Sequence, residues 1–111
     1  MSKDYIILAD HILESIVWIE AYTKDMTEGD FSKNIETQDA VIRRLAIIGE
    51  AISNFPPEIK KEHPDIRWNE ISGMRNLLIH EYFGVSISLV WNVVKKDIPV
   101  LKKQIKKIKK N

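Results

Sequence analysis

The sequence predicts an all-α fold, an antiparallel bundle of four to five helices. Apolar residues recur at three- and four-residue spacing along four stretches. No stretch alternates apolar and polar residues with the period of a strand. The breakers Gly29, Pro56, Pro57, Pro64 and Gly84 fall between the stretches, where turns are needed.

Residues 4–25 hold no proline or glycine, and Tyr5, Leu8, Ile12, Ile16 and Ile19 repeat at helical spacing. Ile6, Leu13 and Val17 add an adjoining stripe. An apolar arc this wide predicts a helix packed on more than one neighbour. Thr27-Glu28-Gly29-Asp30 is read as its break. A second helix starts between Asn34 and Thr37 and runs to Asn54, with Val41, Leu45, Ile48, Ile52 and Phe55 as its apolar face. Asp39, Arg43 and Glu50 form a polar stripe on its other side. Pro56-Pro57 ends it and favours a short turn from Glu58 to Glu62; His63-Pro64-Asp65 is a loop. The third helix covers Trp68 to Tyr82, with Gly84 as its stop. Ser86 is a plausible N-cap for the fourth, in which Ile87, Trp91, Val94, Ile98, Leu101, Ile105 and Ile108 make a heptad seam. Pro99 lies inside that seam. An internal proline costs about 3 kcal/mol, so a kink is expected there.

A chain of 111 residues suits one domain, 1–111, with one core. It has no cysteine, which excludes disulfides, thiolate zinc sites and a cysteine nucleophile. No apolar run approaches the roughly 20 residues of a membrane span, and the first residues lack a signal-peptide layout. A cytoplasmic protein that engages no membrane is expected. The net charge of +1 hides an asymmetry: residues 1–94 carry nine Lys+Arg against fifteen Asp+Glu, whereas residues 95–111 carry eight lysines against Asp97 alone. This lysine-rich end of the last helix is either a solubilising helix terminus or an arm that attracts phosphates. Lys106, Lys107, Lys109 and Lys110 are the candidates for RNA contact in the second case. Trp18, Trp68 and Trp91 are expected as core or interface anchors.

The chemistry-bearing segment is Arg75-x4-His80-x-Tyr82, a fixed cation, a group titrating near neutrality and a phenol. At 100° per residue, Arg75 and Tyr82 lie about 20° apart, and His80 about 140° from Arg75. Asn76 and His80 are i, i+4 neighbours. One straight helix cannot aim the three motif residues at one atom. Either the helix distorts near His80 or a second copy completes the site across a two-fold axis. Cleavage of RNA by its own 2′-hydroxyl needs a base, an acid and charge stabilisation at phosphorus. Two symmetry-related histidines supply base and acid, an arginine fork supplies the charge, and no metal or other cofactor is required. The plainer alternative makes His80 an interior group and pairs Arg75 with Glu70, Glu50 or Glu81 as scaffolding. His11 and His63 have no ligand-like spacing, and neither a phosphate-binding glycine loop nor a nucleophile elbow is present.

The chain resembles the HepT-like group of the HEPN superfamily over nearly its whole length. The resemblance rests on Asp39-Ala40-Val41-Ile42-Arg43-Arg44, Ile48-Gly49-Glu50-Ala51, His63-Pro64 with Trp68, and Met74-Arg75-Asn76. It continues through His80-Glu81-Tyr82-Phe83-Gly84-Val85, Val90-Trp91 and Asp97-Ile98-Pro99. It implies a HEPN-like homodimer with the motifs facing a cleft between subunits. It also implies a metal-independent endoribonuclease, the toxin of a type VII-like toxin–antitoxin module. The implied partner is an MntA-type nucleotidyltransferase antitoxin, which uses ATP and Mg to transfer AMP onto the motif tyrosine. Carried over by residue, Arg75 and His80 are the catalytic pair, Tyr82 the AMP acceptor and Asn76 a supporting group. Glu50 is either a supporting group in the cleft or a buried partner of Arg43 or Arg75. The competing function is a non-enzymatic helical partner or nucleotide-binding subunit of a minimal nucleotidyltransferase; a bundle used only for assembly is the third.

Overall fold

A computed structural model describes residues 4–80 and 86–110, with the backbone alone over 75–80. All regular structure among the described residues is helical: α1 (Asp4–Thr23), α2 (Glu28–Ser32), α3 (Ile35–Ser53), α4 (Pro57–Glu62), α5 (Trp68–His80), α6 (Ile87–Asn92) and α7 (Ile98–Lys110). A π-helical turn, Val93–Asp97, joins α6 to α7. None of these helices is long and apolar enough to cross a membrane. The expected end of the third helix at Tyr82 and Gly84 lies outside the described residues.

α1 packs on both α3 and α7, as its wide apolar arc predicts, but Val17 of the adjoining stripe stays exposed. Ile12, Ile16 and Ile19 are fully buried there, against Leu45, Ile48 and Ile52 of α3 and Ile105 of α7. Each such side chain contributes about 1.5–3 kcal/mol of transfer free energy. α5 also packs on α3. Lys102 pairs with Glu20 at 3.0 Å and Lys109 with Asp10, so α7 runs antiparallel to α1.

The segment read as a plain break after α1 is a helix start. The Thr27 hydroxyl accepts from the Asp30 N–H at 3.1 Å, and the Asp30 carboxylate accepts from the Thr27 N–H at 3.0 Å. This reciprocal capping box satisfies two donors that a helix leaves open. The short helix it starts drives Phe31 into the core, 5.2 Å from the Trp91 ring. The buried Gln38 amide donates to the Phe31 carbonyl at 2.8 Å and ties α2 to α3. Asn34 caps α3, and Pro57 occupies the first turn of α4, both where the sequence puts them.

Trp68 and Trp91 are core anchors, as expected. The Trp68 indole N–H donates to the His63 carbonyl at 2.9 Å, and its ring lies 5.2 Å from Phe55. Trp18 is different: it stays 43% exposed on α1, with the Arg44 guanidinium 5.8 Å above its ring. The distortion expected at Pro99 takes the form of the π-turn. The Ile98 N–H reaches back five residues to the Val93 carbonyl. Pro99 has no N–H to give, and its ring would press on the carbonyl four residues earlier; the wider turn before it relieves that crowding. Val94, Ile98, Leu101, Ile105 and Ile108 nevertheless all reach the core, so the heptad seam survives the insertion.

Candidate functional site

Residues of α3, α5, α6, the π-turn and α7 line a groove of about 680 Å³. Ile48 of α3 forms its floor, Ile71 and Met74 line the α5 wall, and Val93, Ile98 and Leu101 line the other. Gln104 closes one end by donating to Asp65, at 3.0 Å to the carbonyl and 3.3 Å to the carboxylate. The rim is acidic, with Asp65, Glu70 and Asp97 against Arg67. Arg67 and Glu70 stand 3.6 Å apart and are largely exposed, so their pair contributes little. Gly73 opens onto the groove, and a Cβ there would meet nothing within 4 Å.

Sequence reasoning did not find this groove. Its signal was present as a second apolar stripe, Leu89, Val93 and Val100, outside the heptad seam. Leu89 and Val100 remain 50% and 55% exposed, which the seam positions are not.

The predicted site residues fall unevenly on this frame. Arg75, Asn76 and His80 belong to α5, and the side chains of 75–80 lie outside the described residues. Tyr82 lies outside them altogether. Glu50 is exposed near the end of α3, which corrects only the burial in the alternative that made it a buried partner of Arg43 or Arg75. Its carbonyl accepts from the Ser53 hydroxyl at 2.8 Å and the Asn54 amide at 3.0 Å, so its backbone helps end α3. Lys106, Lys107, Lys109 and Lys110 are all exposed on α7, Lys109 in its ion pair with Asp10. His11 is exposed on α1, and the carbonyl of His63 holds the Trp68 indole. Among the described residues no group of three or more His, Cys, Asp and Glu side chains could hold a metal ion.

Comparison with known proteins gives this architecture a family. Residues 12–108 match the model of the family described as ribonuclease HepT-like. The chain belongs to the HepT-like ribonuclease family. It is 56% identical over 97% of its length to "Gamma-glutamylcyclotransferase and putative RNase" of Methanocaldococcus jannaschii. It spans about half of that relative, 49%. It is 46% identical over 97% of its length to "Probable ribonuclease HepT" of Thermococcus cleftensis, covering 96% of that protein. To "Putative RNase" of Caldanaerobacter subterraneus subsp. tengcongensis it is 42% identical over 89% of its length, covering 88% of that protein. No solved structure matches the chain. The all-α architecture is therefore that of a HepT-like domain, and its recognition from sequence motifs agrees with the family match.

Proposed function

We propose that the chain is a metal-independent endoribonuclease that works as a homodimer and serves as the toxin of a toxin–antitoxin module. Membership of a ribonuclease family supports the reaction class. The observation that carries the site is the register of α5, which is helical through His80. Its groove-lining residues Glu70, Ile71, Gly73 and Met74 span an arc of about 160° at 100° per residue. Position 75 falls about 40° outside one edge of that arc and position 80 about 20° outside the other. Positions 75 and 80 thus lie about 120° and 100° from the centre of that arc, and the 140° between them falls on the side of α5 turned away from the groove. That placement supports a site completed by a second copy docked against this side of α5.

In the proposed reaction, the 2′-oxygen attacks the adjacent phosphorus and the bond from phosphorus to the 5′-oxygen breaks. The products are a 2′,3′-cyclic phosphate and a free 5′-hydroxyl. A neutral His80 takes the 2′ proton, and the imidazolium of His80 from a second copy protonates the leaving oxygen. Arg75 binds the phosphorane oxygens, with Asn76 and Glu50 as supporting groups. The antitoxin is an MntA-type nucleotidyltransferase that moves AMP from ATP, with Mg, onto the Tyr82 hydroxyl. On the helical spacing expected from the sequence, position 82 would share a line with position 75 two turns on, and the added phosphate would compete for the arginine that RNA uses.

The test is RNA cleavage in excess EDTA by wild type, Arg75→Ala and His80→Ala, with helicity checked for each. Both variants should lose at least about 10²-fold in rate while remaining folded, and wild type should be indifferent to EDTA. A folded His80→Ala that cuts RNA at the wild-type rate would leave the non-enzymatic docking module as the better reading.

A further inference from the structure

Helix α7 carries six lysines and no carboxylate over Ile98–Lys110. Two of the six have a structural task. Lys102 and Lys109 are seven residues apart, share one line, and hold Glu20 and Asp10 of α1. The other four, Lys103, Lys106, Lys107 and Lys110, fall within an arc of about 100° on the side opposite Leu101, Ile105 and Ile108. All four are exposed, and no described carboxylate pairs with them. They are one another's neighbours at three- and four-residue spacing, where like charges repel. The helix dipole accounts only for the last turn, with Lys107, Lys109 and Lys110; Lys103 and Lys106 precede it. A face made only to dissolve the protein would mix both signs. This one concentrates a single sign on a chain whose residues 1–94 are net acidic.

We propose that Lys103, Lys106, Lys107 and Lys110 form a track for the phosphate backbone of single-stranded RNA, remote from the reacting atoms. The choice of RNA rests on the ribonuclease reading; the track itself rests on the geometry of α7. From Lys103 to Lys110 the helix rises about 10 Å, the length of about three phosphate steps in a stacked strand. Gln104 sits against Asp65, so the track begins beside the end of the groove away from His80. From Trp68 to His80 is about 18 Å along α5, or about five stacked nucleotides. A strand held near position 80 reaches the lysines only when it extends that far beyond the cleaved bond. The track therefore sets affinity for long RNA and leaves the chemical step alone.

The experiment measures binding without cleavage. The probe is a fluorescent 20-nucleotide 2′-O-methyl oligouridylate, which lacks the attacking hydroxyl. Three full-length proteins are compared across a salt series: wild type, the Lys103→Gln, Lys106→Gln, Lys107→Gln, Lys110→Gln variant, and the Lys102→Gln, Lys109→Gln variant. The first variant should bind at least about tenfold more weakly at low salt, with a slope shallower by up to about 0.7 per lysine. The second should keep the wild-type slope and lose thermal stability instead. A four-nucleotide cleavable RNA should be cut equally by wild type and the quadruple variant. An unchanged slope in the quadruple variant, or no binding by wild type, overturns the track. So does loss of binding to phosphatidylserine vesicles with RNA binding intact, which would make the stripe a membrane contact. Wild type that binds with the steep slope but cleaves no RNA would instead refute the ribonuclease reading and leave the track standing.

Discussion

Single residues decide how α2 starts and how it responds to acid. The Thr27 side chain is the N-cap, so Thr27→Ala should cost about 1 kcal/mol in urea unfolding and loosen the turn that seats Phe31. Asp30 reciprocates: the Thr27 N–H and then the Thr27 hydroxyl hold its carboxyl below the ordinary value of 3.8. A carboxylate whose folded pKa is depressed contributes stability that is complete above its unfolded pKa and fades as pH falls through the folded one. Wild type should therefore exceed Asp30→Asn in stability at about pH 5, and the difference should shrink in melts taken below about pH 3.8. A gap that stays constant on acidification would mean that the ionised carboxylate is not what caps the helix. The capping box was written in Thr27-Glu28-Gly29-Asp30, but Gly29 reads as a breaker and five helical residues are too few to show a period. Arg75, His80 and Tyr82 stand out by residue type and spacing alone. No packing argument would have singled them out.

At the scale of elements, periodicity was legible wherever one face of a long helix is buried. α1, α3 and the seam through Ile98, Leu101, Ile105 and Ile108 follow it closely. The π-turn at Val93–Asp97 was not legible, since Pro99 announces a distortion but not where the helix absorbs it. Ile105 is fully buried, so Ile105→Ala should cost about 2–5 kcal/mol, the usual sum of lost transfer energy and a residual cavity. Lys102→Gln should cost well under 1 kcal/mol, because its partner Glu20 is half exposed and solvent screens the pair. The contrast separates what holds α7 in place from what only orients it. Gly73 offers a gain. Its backbone is helical and a Cβ there meets nothing, so Gly73→Ala should raise stability by about 0.5–1 kcal/mol. A thermal melt that falls instead would show that the groove wall at position 73 is needed bare.

On the whole-molecule scale, the groove is a property of how distant segments come together, and no single stretch of sequence contains it. Its walls come from segments more than twenty residues apart, around Ile71 and around Val93. The exposed apolar side chains Leu89 and Val100 beside it are explicable only once both walls are seen together. The same scale governs the chemistry. Each chain has one motif histidine, whereas the proposed cleavage uses one imidazole as base and one as acid in the same step. If two copies complete each site, activity must depend on both copies being intact. Wild type co-expressed and co-purified with His80→Ala should then show activity that follows the square of the wild-type fraction. At equal amounts, about one quarter of the full rate remains, and not one half, because only one dimer in four is wholly wild type. Sedimentation at micromolar concentration should show a dimer for both proteins, so that the loss is assigned to chemistry and not to assembly. A linear dependence on the wild-type fraction, with dimers intact, would mean that each chain cleaves with its own His80. The partner's imidazole would then have no part in the reaction, and a water or the 5′-leaving group's own solvent shell would have to supply the second proton transfer.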